Sequence, residues 1–187
     1  MDINQILDKI YPLPEASKSL IKKCIEHVEY PKGYILFKAG KIETNIFFLK
    51  KGIVRAYADA GDNEITFWFG KEGDTVISMK NYVSGEKGYE HIELLEDSEL
   101  YKVKTNDLQQ LFLEDIHIAN WGRKFAEHEL VIAEEKFISR QFRTASERYK
   151  TLLTENPDLL QRVQLGHIAS FLGITQVSLS RIRGEIK

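Results

Sequence analysis

Near the C-terminus, the stretch LGHIASFLGITQVSLSRIRGEI (residues 165–186) places Gln176, Val177, Ser178, Ser180, Arg181 and Arg183 within a few positions of one another. A glutamine amide can pair with both hydrogen-bonding atoms of adenine. An arginine can do the same at guanine N7 and O6, and serine hydroxyls bond bases or phosphates. The chemistry these residues offer is therefore the reading of DNA. To be useful they must be held on one side of a rigid element, and the surrounding sequence supplies one. Two short helical patterns meet at Gly173, with the small Ala169 four positions earlier, where a second helix can cross the first. Leu179 and Ile182 point back from the second helix, and Ile168, Leu172 and Ile174 fill the space between. Thr175 is placed to cap the second helix, and Gln164 stands just ahead of the first. A helix-turn-helix is expected; the plainer alternative is a helical hairpin with a polar surface.

Charge supports the sharper reading. The 187 residues carry a net charge of -2, which alone argues against a polyanionic partner. From Arg140 to Lys187, however, eight basic residues face four acidic ones, a local net of +4, and the rest of the chain holds -6. A basic tail on an acidic body suits a polyanion-binding module carried by a regulatory one.

Other chemistries find little support. No Gly-Lys-Ser/Thr phosphate loop, Gly-x-Ser-x-Gly elbow or His-Glu-x-x-His helix occurs, so the chain is not expected to be an enzyme. Its single cysteine, Cys24, cannot build an internal disulfide, a four-thiolate iron–sulfur site or a four-cysteine zinc site, and no metal site is expected. Cys24 reads as a small buried residue of an N-terminal helix. His91, His117 and His128 stand singly, which makes haem ligation a remote reading. With 43% hydrophobic and 29% charged residues the chain is neither disordered nor collagen-like. No apolar run approaches ~20 residues and no basic-then-apolar leader opens the sequence, so a cytoplasmic protein without a membrane partner is expected.

The textures divide the chain into three. Residues 3–28 have apolar positions at helical spacing around the Pro12–Pro14 break and predict two short helices. From Tyr30 to about Val103, glycines separate short β-branched and aromatic runs (YILF, NIFFL, IVRAYA, EITFWF), which predict a small barrel or sandwich of hairpins with a tight turn in ADAGDNE. Thr105–Asp107 caps a helix through Leu108, Leu111 and Phe112. Residues 116–138 then predict one long helix carrying a bulky stripe (Ile118, Trp121, Phe125, His128, Ile132) beside a small one (Ala119, Gly122, Ala126, Ala133, Phe137). Two stripes exceed what one domain needs, so a paired helix is expected, with Ile118, Ala119, Gly122, Phe125, Ala126, Ile132 and Ala133 at a homodimer interface. A further helix over Phe142–Thr154 ends before Pro157.

In this order of elements the chain resembles the family of cyclic-AMP receptor protein and fumarate–nitrate regulators (Crp/Fnr). PKGYILFKAG, FFLKKGIVRAY, KEGD and LLEDSELYKV resemble the glycine-punctuated β-roll, and ASERYKTLLTENPDLLQRV with IASFLGITQVSLSRIR resembles the DNA-binding end. The resemblance implies an α+β fold with an N-terminal double-stranded β-helix, a jelly-roll-like β-roll sensor, over residues 1–115. It further implies a dimerisation helix over 116–138 and a helix-turn-helix of winged-helix type, its wing truncated, over 139–187. It implies a transcription regulator binding a partly palindromic site as a dimer, with RNA polymerase as a further partner. The alternative is a ligand-sensing or interaction protein with weak DNA binding.

Departures from the family pattern are informative. Members that bind cyclic AMP carry Gly-Glu for the ribose and a later Arg for the phosphate. Here the corresponding places fall near Ile77–Ser78 and on or near Tyr89, and Tyr82–His91 offers only Lys87 and His91 as cations. A phosphate would lack a fixed charged partner, so cyclic AMP is not expected. A different small-molecule effector is left open, with Trp68, Gly73, Ile77, Ser78, Tyr82 and Tyr89 as candidate lining. In the recognition helix the family's Glu is replaced by Val177, which suits a thymine methyl, and Arg181 is retained as the strongest expected base contact.

Overall fold

The computed structural model describes residues 1–61 and 63–186; Asp62, in the predicted tight turn, and Lys187 lie outside the described residues. Two N-terminal helices, α1 (Ile3–Ile10) and α2 (Glu15–Lys23), precede β1 (Ile25–Tyr30). Ile25 and Val28 thus belong to a strand and not to the second helix. Their spacing suits either period, and pairing of β1 along the whole length of β8 (Ser98–Lys104) decides for the strand. Cys24 is the C-cap that follows α2, half-buried rather than the buried helical residue expected from sequence.

The remaining strands are β2 (Ile35–Phe37), β3 (Asn45–Lys51), β4 (Val54–Ala60), β5 (Asn63–Gly70), β6 (Thr75–Val76) and β7 (His91–Leu94). They form two four-stranded sheets, ordered β1-β8-β3-β6 and β2-β7-β4-β5. The run NIFFL in β3 is apolar on both faces because both are covered. Phe48 and Ile46 join the core beneath the helices, while Phe47 meets Phe37 of the other sheet at 5.8 Å. This is the expected β-roll.

Helix α3 (Met79–Ser84) interrupts the strands, and α4 (Thr105–Glu114) follows them. Thr105 is already helical; Lys104 occupies the N-cap position without a side-chain cap. The long helix α5 runs Ile116–Phe142, four residues beyond its predicted end. Asp115 starts it, accepting hydrogen bonds from the His117 and Ile118 N–H groups at 2.8 and 3.1 Å, and a third from the Ser17 hydroxyl at 2.8 Å. Burial pushes this carboxyl up, but the hydrogen bonds from Ser17 and the two N–H groups outweigh it and hold it below the ordinary range.

Helix α6 (Ala145–Glu155) begins later than the predicted Phe142. A capping box fixes its start: Thr144 accepts the Glu147 N–H, and Glu147 accepts the Thr144 N–H at 2.7 Å. Helices α7 (Leu159–Arg162), α8 (Leu165–Phe171) and α9 (Gln176–Glu185) complete the chain. Two compact units result: residues 1–56 with 69–130, and residues 57–68 with 131–187. No helix among the described residues is long and apolar enough to cross a membrane.

The Asp115 cap carries a prediction. Asp115→Ala lowers stability by about 1 kcal/mol, while Asp115→Asn, which keeps the acceptor, loses less. Because its folded pKa is depressed, the carboxylate's contribution is present above its unfolded pKa and fades as pH falls through the folded value. Denaturation midpoints measured at neutral and acid pH read both effects.

Candidate nucleic-acid interface and effector cavity

In the second unit, α8 ends in a tightly specified turn. Gly173 adopts φ +68°, its N–H donates to the Ser170 carbonyl, and the Ile174 N–H donates to the Ala169 carbonyl, each at 3.0 Å. These two bonds form a Schellman motif, which needs a left-handed residue at the position glycine holds. Thr175 then caps α9, accepting the Ser178 N–H at 3.1 Å. Ile168, Ala169, Leu172, Leu179 and Ile182 are buried between the helices. The predicted helix-turn-helix is thus present, with its predicted core buried except for Ile174, which is half-buried.

With Leu179 and Ile182 facing inward, the helical period carries Val177, Ser180 and Arg181 to the opposite side and leaves Gln176 on the flank toward α8. All four are exposed, Val177 at 81%. Gly184 stands on the same side and leaves its centre low. Thr175 and Ser178 are engaged at the cap, where their hydroxyls lie 3.0 Å apart. Arg183 lies on the flank, lining an open groove of about 430 Å³ with Tyr149 and Leu153 of α6. Gln164 is exposed at the start of α8, and a Cβ at Gly166 would lie 3.7 Å from Gln176 Oε1, so the beginnings of α8 and α9 lie side by side.

Two basic residues of the tail are engaged within the helical unit. Arg148 donates to the Leu172 carbonyl at 2.8 Å and the Arg143 carbonyl at 2.5 Å, tying α6 to the turn, and Arg143 donates to the Thr151 hydroxyl. Arg181 and Arg183 form no ion pair with any described residue. Ser170, on α8, accepts the Thr66 N–H and donates to the Glu64 carbonyl, both at 2.9 Å, so its hydroxyl completes the edge of β5.

The candidate dimer residues divide between two roles. Ile118 is fully buried in its own unit, Gly122 is covered by the Phe112 ring, and Phe125 stacks on Trp121 at 6.1 Å. Ala126 and Ala133 are exposed, and Ala119 and Ile132 are half-buried. Alongside them Leu130 and Phe137 are exposed at 71% and 64%, and the order Ala119, Ala126, Leu130, Ala133, Phe137 follows a 3.5-residue period. Leu130 had escaped the stripe pattern read from sequence.

The candidate effector residues also separate. Ile77 and Tyr82 line a cavity of about 50 Å³ with residues of β3, β6, α4 and α5. Ser78 is buried beside Gly88 and the buried Glu90 carboxylate, Gly73 sits against Met1 and Lys9, and Tyr89 is exposed at 62%. Trp68 is a half-buried residue of β5 in the second unit. The Glu90 carboxylate accepts the Tyr89 N–H at 3.0 Å. The buried Arg55 guanidinium is matched by Glu93 at 3.5 Å. No cluster of metal-ligating side chains occurs among the described residues, and burial followed by the nearby Asp107 pushes the Cys24 thiol up, away from thiolate chemistry.

Comparison with known proteins agrees with this architecture. Residues 27–115 match the cyclic nucleotide-binding domain family. No curated protein sequence matches the chain. Among solved structures, a CooA mutant from Carboxydothermus hydrogenoformans is similar with a TM-score of 0.74 and 20% identity, over 99% of this chain and 84% of that one. FixK2 from Bradyrhizobium japonicum has a TM-score of 0.73 and 21% identity, over 87% and 84%. The Thermus thermophilus catabolite activator protein has 0.62 and 18%, over 97% and 86%. The chain therefore has a β-roll similar to the cyclic nucleotide-binding domain family, followed by a helical C-terminal part. That whole arrangement is the fold of the Crp/Fnr regulators.

The turn provides a direct test of the helix-turn-helix geometry. A Cβ at Gly173 meets no neighbour within 4 Å, so Gly173→Ala carries a purely conformational cost of about 1–2 kcal/mol. Gly173→Asn recovers part of it, because asparagine tolerates the left-handed region. Thermal unfolding of the two variants measures the difference.

Proposed function

We propose that the protein is a DNA-binding transcription regulator of the Crp/Fnr type, acting as a homodimer on a partly palindromic site. The observation that carries this reading is the exposed face of α9, where Val177, Ser180 and Arg181 stand opposite the buried Leu179 and Ile182, with exposed Gln176 on its flank. The Gly173 turn and the Thr175 cap hold that face before any DNA arrives. Arg181 reads guanine, Gln176 reads adenine, Val177 meets a thymine methyl, and Ser180 and Arg183 contact bases or phosphates. The second helix of each subunit enters a major groove, and the two grooves lie about one helical turn apart.

Pairing follows from α5. Leu130 and Phe137, flanked by Ala119, Ala126 and Ala133, form an apolar seam whose small residues let a second copy of the helix approach closely. The β-roll senses something other than a cyclic nucleotide, since Glu90 is buried beside the turn where a phosphate would need a cation. The reading places the protein in the cytoplasm, includes RNA polymerase as a further partner, and involves no catalysis.

Two measurements test it. In a salt-dependent mobility shift on DNA selected by the protein, Arg181→Ala costs about 1–3 kcal/mol and relaxes sequence preference at one position of each half-site. Uniformly weak binding of the unaltered protein to all sequences would leave only a sensing or interaction role. In sedimentation, Leu130→Glu or Phe137→Glu converts the dimer to monomer, because each buries a carboxylate in the seam; an unchanged mass would exclude this face as the interface.

A further inference from the structure

Behind α3, in the first unit, lies the cavity of about 50 Å³ bounded by Ile46 of β3, Thr75 of β6, Ile77, Tyr82 of α3, Phe112 of α4 and Phe125 of α5. Its lining contains no charged side chain. It is distinct from the turn formed by Ser78, Gly88 and Glu90, none of which borders it. One polar atom in this wall is unsatisfied: Thr75 Oγ1 is buried and has no hydrogen-bond partner. Tyr82, half-buried on α3, adds a second hydroxyl, and burial pushes its pKa up.

A buried hydroxyl without a partner is costly, and a cavity walled by Ile, Leu and aromatic side chains offers a lone water too few polar groups to hold it well. The space exceeds the ~30 Å³ of one water and admits about three non-hydrogen atoms. We propose that this cavity is an effector site for a small uncharged molecule with an apolar body and one hydrogen-bonding oxygen, in the class of a two- or three-carbon alcohol or aldehyde. The oxygen pairs with Thr75 Oγ1, and the carbon end lies against Ile46, Ile77 and Phe112. The term effector rests on the regulator reading above; occupancy of the cavity does not. One wall is α5 itself, through Trp121, Gly122, Phe125 and Ala126, and Ala126 also belongs to the exposed apolar seam. A molecule bound here therefore presses on the helix proposed to pair.

The test uses the full-length protein with ¹³C-labelled isoleucine methyl groups, titrated with ethanol and, as a charged control, acetate. Ligands of this size reach only about millimolar affinity, so the titration extends well beyond that range. The expected result is saturable shifts confined to Ile46 and Ile77, none with acetate, and about tenfold weaker ethanol binding in Thr75→Val, which keeps the volume and removes the hydroxyl. Ile77→Phe, which fills the space, abolishes the Ile46 response and serves if Thr75→Val does not fold. Linear shifts spread over surface methyls, a response equal for acetate, or unchanged ethanol affinity in Thr75→Val would overturn the proposal. A trapped water alone gives no ethanol response and would overturn it as well. The titration contains no DNA, so its failure and a failure of DNA recognition are read separately.

Discussion

The indole of Trp121 is buried where α1, β3 and α5 meet. Its N–H donates to the Leu7 carbonyl at 3.0 Å, Phe48 meets it in a T-shaped contact at 6.0 Å, and Phe125 stacks on it at 6.1 Å. A helix has one circumference, and any arc used inside the chain is closed to a partner. Trp121 and the fully buried Ile118 commit the bulky stripe of α5 to its own β-roll, and Phe112 closes over Gly122 on the neighbouring arc. The side that the proposed pairing would use bears Ala119, Ala126, Leu130, Ala133 and Phe137. The N-terminal helices reinforce this assignment. Lys18 bridges Asp8 and Glu15 at 2.7 and 3.0 Å, and Ser17 reaches Asp115 at the head of α5. Anchoring at the head of α5 thus sets which face of the helix the first unit covers.

The same constraint explains what could be read from sequence. The helix-turn-helix was legible because its determinants are local: a small residue, a glycine four positions later, a cap and apolar residues at fixed offsets all lie within eighteen residues of sequence. The β-roll was legible from its glycines and short aromatic runs. The two stripes of α5 were visible, but their division between roll and partner was not, because that depends on Leu7 and Phe48, more than seventy residues away. Strand β1 was hidden for a related reason, since Ile25 and Val28 continue the helical spacing of Ile21 and only β8 resolves the ambiguity. The Thr144–Glu147 capping box carries a sequence signature that would have placed the start of α6. The cavity had none, as its walls come from five separate elements and only Ile77 and Tyr82 were among its expected lining.

Charge asymmetry gains a finer meaning from the side-chain partners. The tail's excess of positive charge includes Arg143 and Arg148, which hold main-chain and hydroxyl oxygens within the helical unit. Arg181 and Arg183 stand on α9 beside uncharged Gln176 and Ser180. The reading surface is therefore a small polar face on a rigid support, with little of the net charge concentrated on it. In the proposed function such a surface would depend on geometry and on duplication in a dimer for its selectivity, since few phosphate contacts would otherwise hold it to DNA.

Two recognition helices, fixed by pairing along α5, are thus the centre of the account. Hydroxyl-radical footprinting of the full-length protein on DNA that it selects from a random pool tests this most directly. The account predicts two protected half-sites related by two-fold symmetry, with centres about 10 base pairs apart on one face of the duplex. A single protected half-site, or diffuse protection that moves with neither sequence nor symmetry, would contradict it.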